Sequence, residues 1–473
     1  MKINRQMYLD KVKACWTAKN IGGTIGGPYE GTKEMLNISG YSTPKGKALP
    51  NDDLDLQLLW LCAVEEQSIR KITPQLLGEY WLNYIPPHWN EYGVAKANMR
   101  MGLVPPFSGE YCNDLWRHSN GAWIRTEIWA CLFPGYPELA VRYAYADASV
   151  DHGMGEGTYA AMFVAALQSM AFFHSDIKWL IEKSLSFIPA DCRIARSVKR
   201  AEELYDKKVD FAEARNRLVE ETKDLGWFQA PANVGFVILG LLYGEGDFKK
   251  TMIYTVNCGD DTDCTGGTAG SILGIMGGNS VIPQDWVDYI GDDIVSISVD
   301  LSYMALPKTC SELTQRVYEL MPSALKAYGM FTEYTDGENE LMEYPDLTRI
   351  VDYDIPKTGL SCDLPDMIFA KGRVELSSLI AKTGEELKLK FIFKNAMRDP
   401  KHLQVKVTVP EGWMADKEEI GIYLEHLVYR TVSEESIAII PNENIKGVNK
   451  ILIEVSSVGR PTCAIMPIIV FSN

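Results

Sequence analysis

From residue 8 to about 332, apolar residues recur at three-to-four spacing, the period of one helix face. Leu54–Glu66, Pro137–Ala148, Tyr159–Phe173, Ile194–Asp206, Phe211–Leu225 and Pro231–Gly244 all carry it, separated by short Gly, Pro and Asn breaks. Some stretches, such as Thr158–Leu167, are apolar nearly all round, which suits the middle of a multi-helix bundle. Residues 333–366 change character: Thr335-Asp336-Gly337-Glu338-Asn339-Glu340 is acidic and turn-forming, and Pro345, Pro356 and Pro365 punctuate the rest. Beyond them the period becomes two, in Arg373–Leu376, Leu387–Phe393, Leu403–Val409, Lys450–Val455 and Ala464–Phe471, with turn signals such as Pro410-Glu411-Gly412-Trp413 between. The pattern predicts an all-α domain over 1–332, a linker or wrapping segment over 333–366, and an immunoglobulin-like β-sandwich over 367–473.

Composition narrows this only slightly. With 473 residues, two domains are expected, and 46% hydrophobic with 23% charged residues is ordinary for a globular protein. A formal charge of −16 argues against a nucleic-acid surface, which needs a concentrated basic face. No apolar run approaches bilayer length, and Met1–Asn20 reads as an amphipathic helix rather than a signal peptide. Ten cysteines without CxxC pairs, several inside apolar helical stretches, suggest buried free thiols and a cytoplasmic location.

The candidate chemistry lies in four segments. Asp260-Asp261-Thr262-Asp263-Cys264 sets three carboxylates within four residues, ahead of Thr265–Ser271 with its small side chains. Helix capping accounts for one of them; the mutual repulsion of the others favours a hard divalent cation. Asn51-Asp52-Asp53, taken alone, reads as an N-cap followed by two residues that compensate the helix dipole. Ile21–Gly31 lacks the Gly-Lys-Ser/Thr ending of a phosphate loop and delivers Glu30 on a Gly-rich turn, a surface connector on the residues alone and a possible site for a mobile acid or base. Ser119–Arg125 and Ser149–Gly153, with His152, decide nothing alone.

Taken in order, these segments resemble the ADP-ribosylglycohydrolase family, over roughly residues 8–330. The turn ending in Pro28-Tyr29-Glu30 is similar to its first motif, Asn51-Asp52-Asp53 to its Ser/Thr-Asp-Asp motif, Asn120–Arg125 to its Asn-Gly substrate loop, His152 to its Thr-His, and Asn257–Cys264 to its closing Gly-Asp-Thr-Asp-Thr. The resemblance implies an all-α orthogonal bundle with a binuclear magnesium centre, manganese being an alternative, that hydrolyses a ribofuranosyl C1 bond of an ADP-ribosylated protein or small conjugate. It implies metal ligands at Asn51, Asp52, Asp53, Asp261, Asp263 and Cys264. Catalytic roles fall to Glu30, Asp53 and Asp261. Substrate contacts fall to Asn120, Gly121, Ala122, Trp123 and His152; the Trp123 indole, where the family has a small residue, would either stack on a sugar or base or fill part of the adenosine space. Gly23 and Cys264 depart from the family pattern, in place of an Asp and a hydroxyl; the soft sulfur suits magnesium poorly. A glycosidase for another sugar and an inactive ligand-binding relative are the rival functions.

Overall fold

The computed structural model describes residues 1–300, 302, 304–343, 347 and 354–472. Part of the expected linker, Pro345 included, lies outside them. The chain forms two compact units, Met1–Gly93 with Asn113–Ile355, and Val94–Cys112 with Pro356–Asn473.

Helices dominate the chain up to Lys326: α1 Arg5–Gly26, α2 Asp52–Gln67, α3 Pro74–Tyr84, α4 Asn90–Arg100, α5 Phe107–Glu110, α6 Glu127–Leu132, α7 Pro137–His152 and α8 Glu156–Ala171. They continue as α9 Ile177–Leu185, α10 Arg193–Asp206, α11 Phe211–Thr222, α12 Ala230–Gly244, α13 Phe248–Asn257, α14 Thr262–Gly277, α15 Gln284–Ile290 and α16 Cys310–Lys326. Local chemistry sets their starts. The Asn4 side chain accepts from Met7 N ahead of α1, Asn51 accepts from Asp53 N ahead of α2, and Thr73 accepts from Leu76 N with Pro74 opening α3. A short parallel pair, β1 Lys2–Asn4 with β2 Glu333–Thr335, ties the chain start to residues beyond α16. No helix among the described residues is long and apolar enough to cross a membrane, and all ten cysteines are free.

The contact that positions the site is between α1 and α14. A Cβ on Gly22 would lie 2.3 Å from the backbone carbon of Gly266, and one on Gly26 2.2 Å from the Thr262 carbonyl oxygen. One on Gly270 would lie 2.6 Å from the Ala18 oxygen, and one on Gly274 2.5 Å from the Ala14 oxygen. The two helices therefore touch backbone to backbone, an approach only glycine permits here. The run of small residues after Cys264 serves this packing, and it brings the C-terminal end of α1 beside the N-terminal end of α14.

The second unit is a β-sandwich. Its strands are β3 Ser361–Asp363, β4 Ala370–Leu376, β5 Ile380–Ala381, β6 Leu387–Asn395, β7 Lys401–Thr408, β8 Met414–Ala415, β9 Glu419–Leu424, β10 Val432–Ile440, β11 Val448–Ser456 and β12 Ala464–Ser472. They form two five-stranded sheets, β3-β4-β6-β10-β8 and β5-β12-β11-β7-β9. Alternation delivers the core: Leu403, Val405 and Val407 of one sheet and Leu389, Phe391 and Phe393 of the other are buried in one cluster. Leu103 and Phe107, from Val94–Cys112, join that cluster, so this helical excursion belongs with the strands.

Candidate active site

Three chain segments converge at the paired helix ends. Glu30 follows the turn after α1, Asn51-Asp52-Asp53 opens α2, and Asp261-Thr262-Asp263-Cys264 opens α14. Oxygens of Glu30, Asp261 and Asp263 lie within 4.8 Å of one another, and so do ligand atoms of Asp53, Asp263 and Cys264. Around them is a cavity of about 570 Å³, within the range of small-molecule sites, lined in part by Glu30, Asp52, Asp261, Asp263, Cys264, Asn120 and Gly121.

The electrostatics are those of a site made for positive charge. Asp261 Oδ2 accepts from Asn120 Nδ2 at 2.7 Å, while Asp261 Oδ1 and Asp263 Oδ1 are buried with no hydrogen-bond partner among the described residues. Burial raises the pKa of Asp261, with Asp263 adding to it; burial and the charge of Glu30 push Asp263 up to about 6. Asp52 is half-buried, takes a hydrogen bond from the Tyr92 hydroxyl at 3.3 Å, and is raised by burial and by Asp53. Glu30 is exposed as a residue, but its carboxyl faces the cluster; desolvation there, then Asp52 and Asp53, raise its pKa. Orphaned oxygens on converging hard carboxylates fit a divalent cation.

Asp53 is the exception, because its charge is already met from inside. The wholly buried Lys19 ammonium lies 3.3 Å from Asp53 Oδ2 and 3.0 Å from Glu127 Oε1. Gln57, Gln168 and Ser271 hydrogen-bond the same Glu127 carboxylate. Burial alone would lower the pKa of Lys19, yet Glu127 and Asp53 outweigh it and hold the group above its ordinary value. The Cys264 thiol donates to Asp53 Oδ1 at 3.3 Å, and burial with the surrounding aspartates holds its pKa well up, so it keeps its proton. Burial still pushes Asp53 to about 7, against the opposing charge of Lys19.

A pH dependence follows. Asp53 and Asp263 titrate near 7 and 6 in the fold and near 3.8 when unfolded, so the folded metal-free chain holds protons that the unfolded chain releases. Their contribution is present below about pH 4 and is lost as pH rises through 6 to 7. The metal-free protein is therefore expected to melt several degrees lower at pH 8 than at pH 5, and Mn2+ to remove most of that difference. Thermal unfolding at both pH values, with and without the ion, measures it.

The residues around the cluster take other roles. Asp260 lies outside the cluster: with φ +64° it accepts from Phe228 N at 3.0 Å and from Asn233 Nδ2 at 2.8 Å, fixing the turn before α14. Gly23 makes room for Asn51, whose Nδ2 would lie 1.8 Å from a Cβ there, and the Asn51 amide oxygen caps α2. Asn120 and Gly121 reach the cavity wall, but Ala122, Trp123 and His152 are buried behind it. The Trp123 indole turns inward and donates to Asn120 Oδ1 at 3.1 Å, since a large apolar ring gains more from the core than from a wet wall. His152 instead braces the loop, its Nε2 3.0 Å from Ser119 Oγ. Sequence reasoning missed Trp89, Glu91, Tyr92 and Phe228, all on the cavity wall. Their only signal was an aromatic–polar run after Pro86-Pro87 and the aromatic pair Trp227-Phe228 before α12.

The family model for ADP-ribosylglycohydrolase matches residues 4–321, which contain every segment of this site. The chain belongs to the ADP-ribosylglycohydrolase family. Membership makes it a relative of hydrolases of glycosidic bonds, and the helical unit has the ADP-ribosylglycohydrolase fold. A solved structure described as an "ADP-ribosylglycohydrolase-related protein complex" is similar at 19% identity and a TM-score of 0.45, over 69% of this chain and 100% of that one. No curated protein matches.

Proposed function

We propose that this ADP-ribosylglycohydrolase family member is a metal-dependent hydrolase of a ribofuranosyl C1 bond, with an ADP-ribosylated protein or a small ADP-ribose conjugate as substrate. The observation that carries the proposal is the pair of orphaned oxygens, Asp261 Oδ1 and Asp263 Oδ1, beside Glu30 within a cavity of small-molecule size. Glu30, Asp52, Asp261 and Asp263 would hold Mg2+ or Mn2+, with Asp53 paired to Lys19 behind them. When bound, the ion supplies charge to fix sugar hydroxyls and to acidify water. Glu30, exposed and with a raised pKa, takes a proton from the attacking water. Asn120 keeps Asp261 aimed, and Trp89 and Phe228 offer aromatic surface to a base. Because the Trp123 indole is packed away, it leaves the cavity open to a nucleotide.

Hydrolysis of serine- and arginine-linked ADP-ribose and of ADP-ribosyl phosphate tests this. Activity is expected with Mn2+ or Mg2+, to fall at least a hundredfold with a chelator, and to return on adding the ion. Undiminished activity in chelator would refute the metal role. Turnover of simple furanosides or pyranosides alone would point to another sugar, and no saturable Mn2+ binding would point to an inactive relative.

A further inference from the structure

Glu91, on the first turn of α4, is a carboxyl that the metal cluster does not use. It lines the same cavity as Asp261 and Asp263, is only 6% exposed, and its Oε2 has no hydrogen-bond partner among the described residues. Gly121 leaves room for it: a Cβ there would stand 2.2 Å from Glu91 Oε1. Asn120, the residue before Gly121, donates to Asp261, so Glu91 stands one residue of loop away from the acidic centre.

Behind Glu91 is an ordered polar chain. Ligand-type atoms of Glu91, Asp151 and His152 lie within 4.8 Å of one another. That group is poorly suited to a metal, because Arg125 already engages both Asp151 oxygens, at 2.8 and 3.2 Å. His152 Nδ1 lies 2.9 Å from Asp151 Oδ1, and its Nε2 lies 3.0 Å from Ser119 Oγ. Asp151 therefore has a cation and His152 lies between Asp151 and Ser119, while Oε2 of Glu91, a residue of the cavity lining, is buried without a hydrogen-bond partner among the described residues. Among the groups facing Glu91, desolvation raises its pKa most; His152 opposes this and Asp151 adds to it.

We propose that Glu91 is a second catalytic carboxyl, the general acid that protonates the leaving group, with His152 and Ser119 as the positioning residues behind it. The proposal rests on the glycosidic-bond hydrolysis argued above. As the bond from C1 to the leaving atom breaks, that atom takes its electron pair and the Glu91 proton. Water forms the new bond to C1 and gives its proton to Glu30. Glu30 then releases that proton to solvent and Glu91 takes one back, so the cycle consumes only water.

The test uses two ADP-ribose conjugates of the same sugar, one with a para-nitrophenyl leaving group and one with an alkyl alcohol. A departing nitrophenolate needs no proton, whereas an alkoxide does. Glu91→Gln is expected to lower kcat on the alkyl conjugate by about a hundredfold or more, and on the aryl conjugate by less than fivefold. Equal losses on both would overturn the assignment. Glu91→Asp, should the amide fold poorly, is expected to show the same split with a smaller loss. If the wild-type protein hydrolyses neither conjugate, the substrate reading fails, and infrared difference spectra of the Mn2+-loaded protein still decide Glu91. A protonated-carboxyl band present at neutral pH and missing in Glu91→Gln supports it; an unchanged spectrum overturns it.

Discussion

Changing Asp261 and Asp263 together to Asn will lower hydrolysis by about a thousandfold or more, the equivalent of roughly 4 kcal/mol in the barrier, and will abolish saturable Mn2+ binding. The same double variant is expected to be more stable than the metal-free wild type at pH 8, by on the order of 2 kcal/mol. Both results follow from the two orphaned oxygens and from the pKa values that burial, with Asp263 acting on Asp261 and Glu30 on Asp263, raises. The fold tolerates a charge cluster that the metal-free state would be better without. Asparagine keeps the shape, and an amide oxygen at position 261 can still accept from Asn120, so geometry is not the variable. Calorimetric titration with Mn2+ and thermal unfolding of both proteins measure the two effects. Loss of binding together with lower stability would mean that the carboxylates hold the fold rather than a cation.

Lys19→Met will destabilise the protein by about 3–5 kcal/mol, the penalty for leaving buried charge without its partner. The ammonium is fully buried between Asp53 and Glu127, and removing it sets two carboxylates in the interior facing one another. Adding Glu127→Gln to Lys19→Met should recover a large part of the loss, because the remaining carboxyl can take a proton. Denaturant unfolding of the two single variants and the double gives the coupling directly. If Lys19→Met were neutral, the ion pair would not be a structural prop of the centre. Loss of Mn2+ affinity beyond that caused by unfolding is not expected at Glu30, Asp261 and Asp263, which lie on the cavity side.

Periodicity made most of the architecture legible. Apolar spacing of three to four gave the helical unit, and alternation such as Leu387–Phe393 gave the sandwich strands. It could not show that Val94–Cys112 packs with the strands, because a helical period says nothing about which core a helix joins. The acidic clusters were visible as residues, and their convergence was implied by the resemblance of the ordered motifs to the family rather than by composition. Lys19 stayed hidden: a single lysine in an amphipathic first helix looks like a solvated residue until its burial is known. Trp123 left two readings open for the opposite reason, since an aromatic in a substrate loop can face either side and only packing chooses. Glu91 carried no pattern at all beyond an ordinary acidic first turn of a helix.

The glycine joint of α1 and α14, Gly22 and Gly26 on one helix and Gly266, Gly270 and Gly274 on the other, bears on how such a centre can diversify. Glycine has no rotamers, so spacing between the carboxylates of the two helix ends cannot be adjusted by small side-chain changes at the joint. Any larger residue acts as a wedge and moves both ends at once. Drift toward a new ligand is therefore channelled into what stands beyond the joint, the 119–121 loop, the start of α4 and Phe228. A lineage carrying this arrangement can exchange its substrate without rebuilding its acidic centre, and the reverse route is largely closed to it.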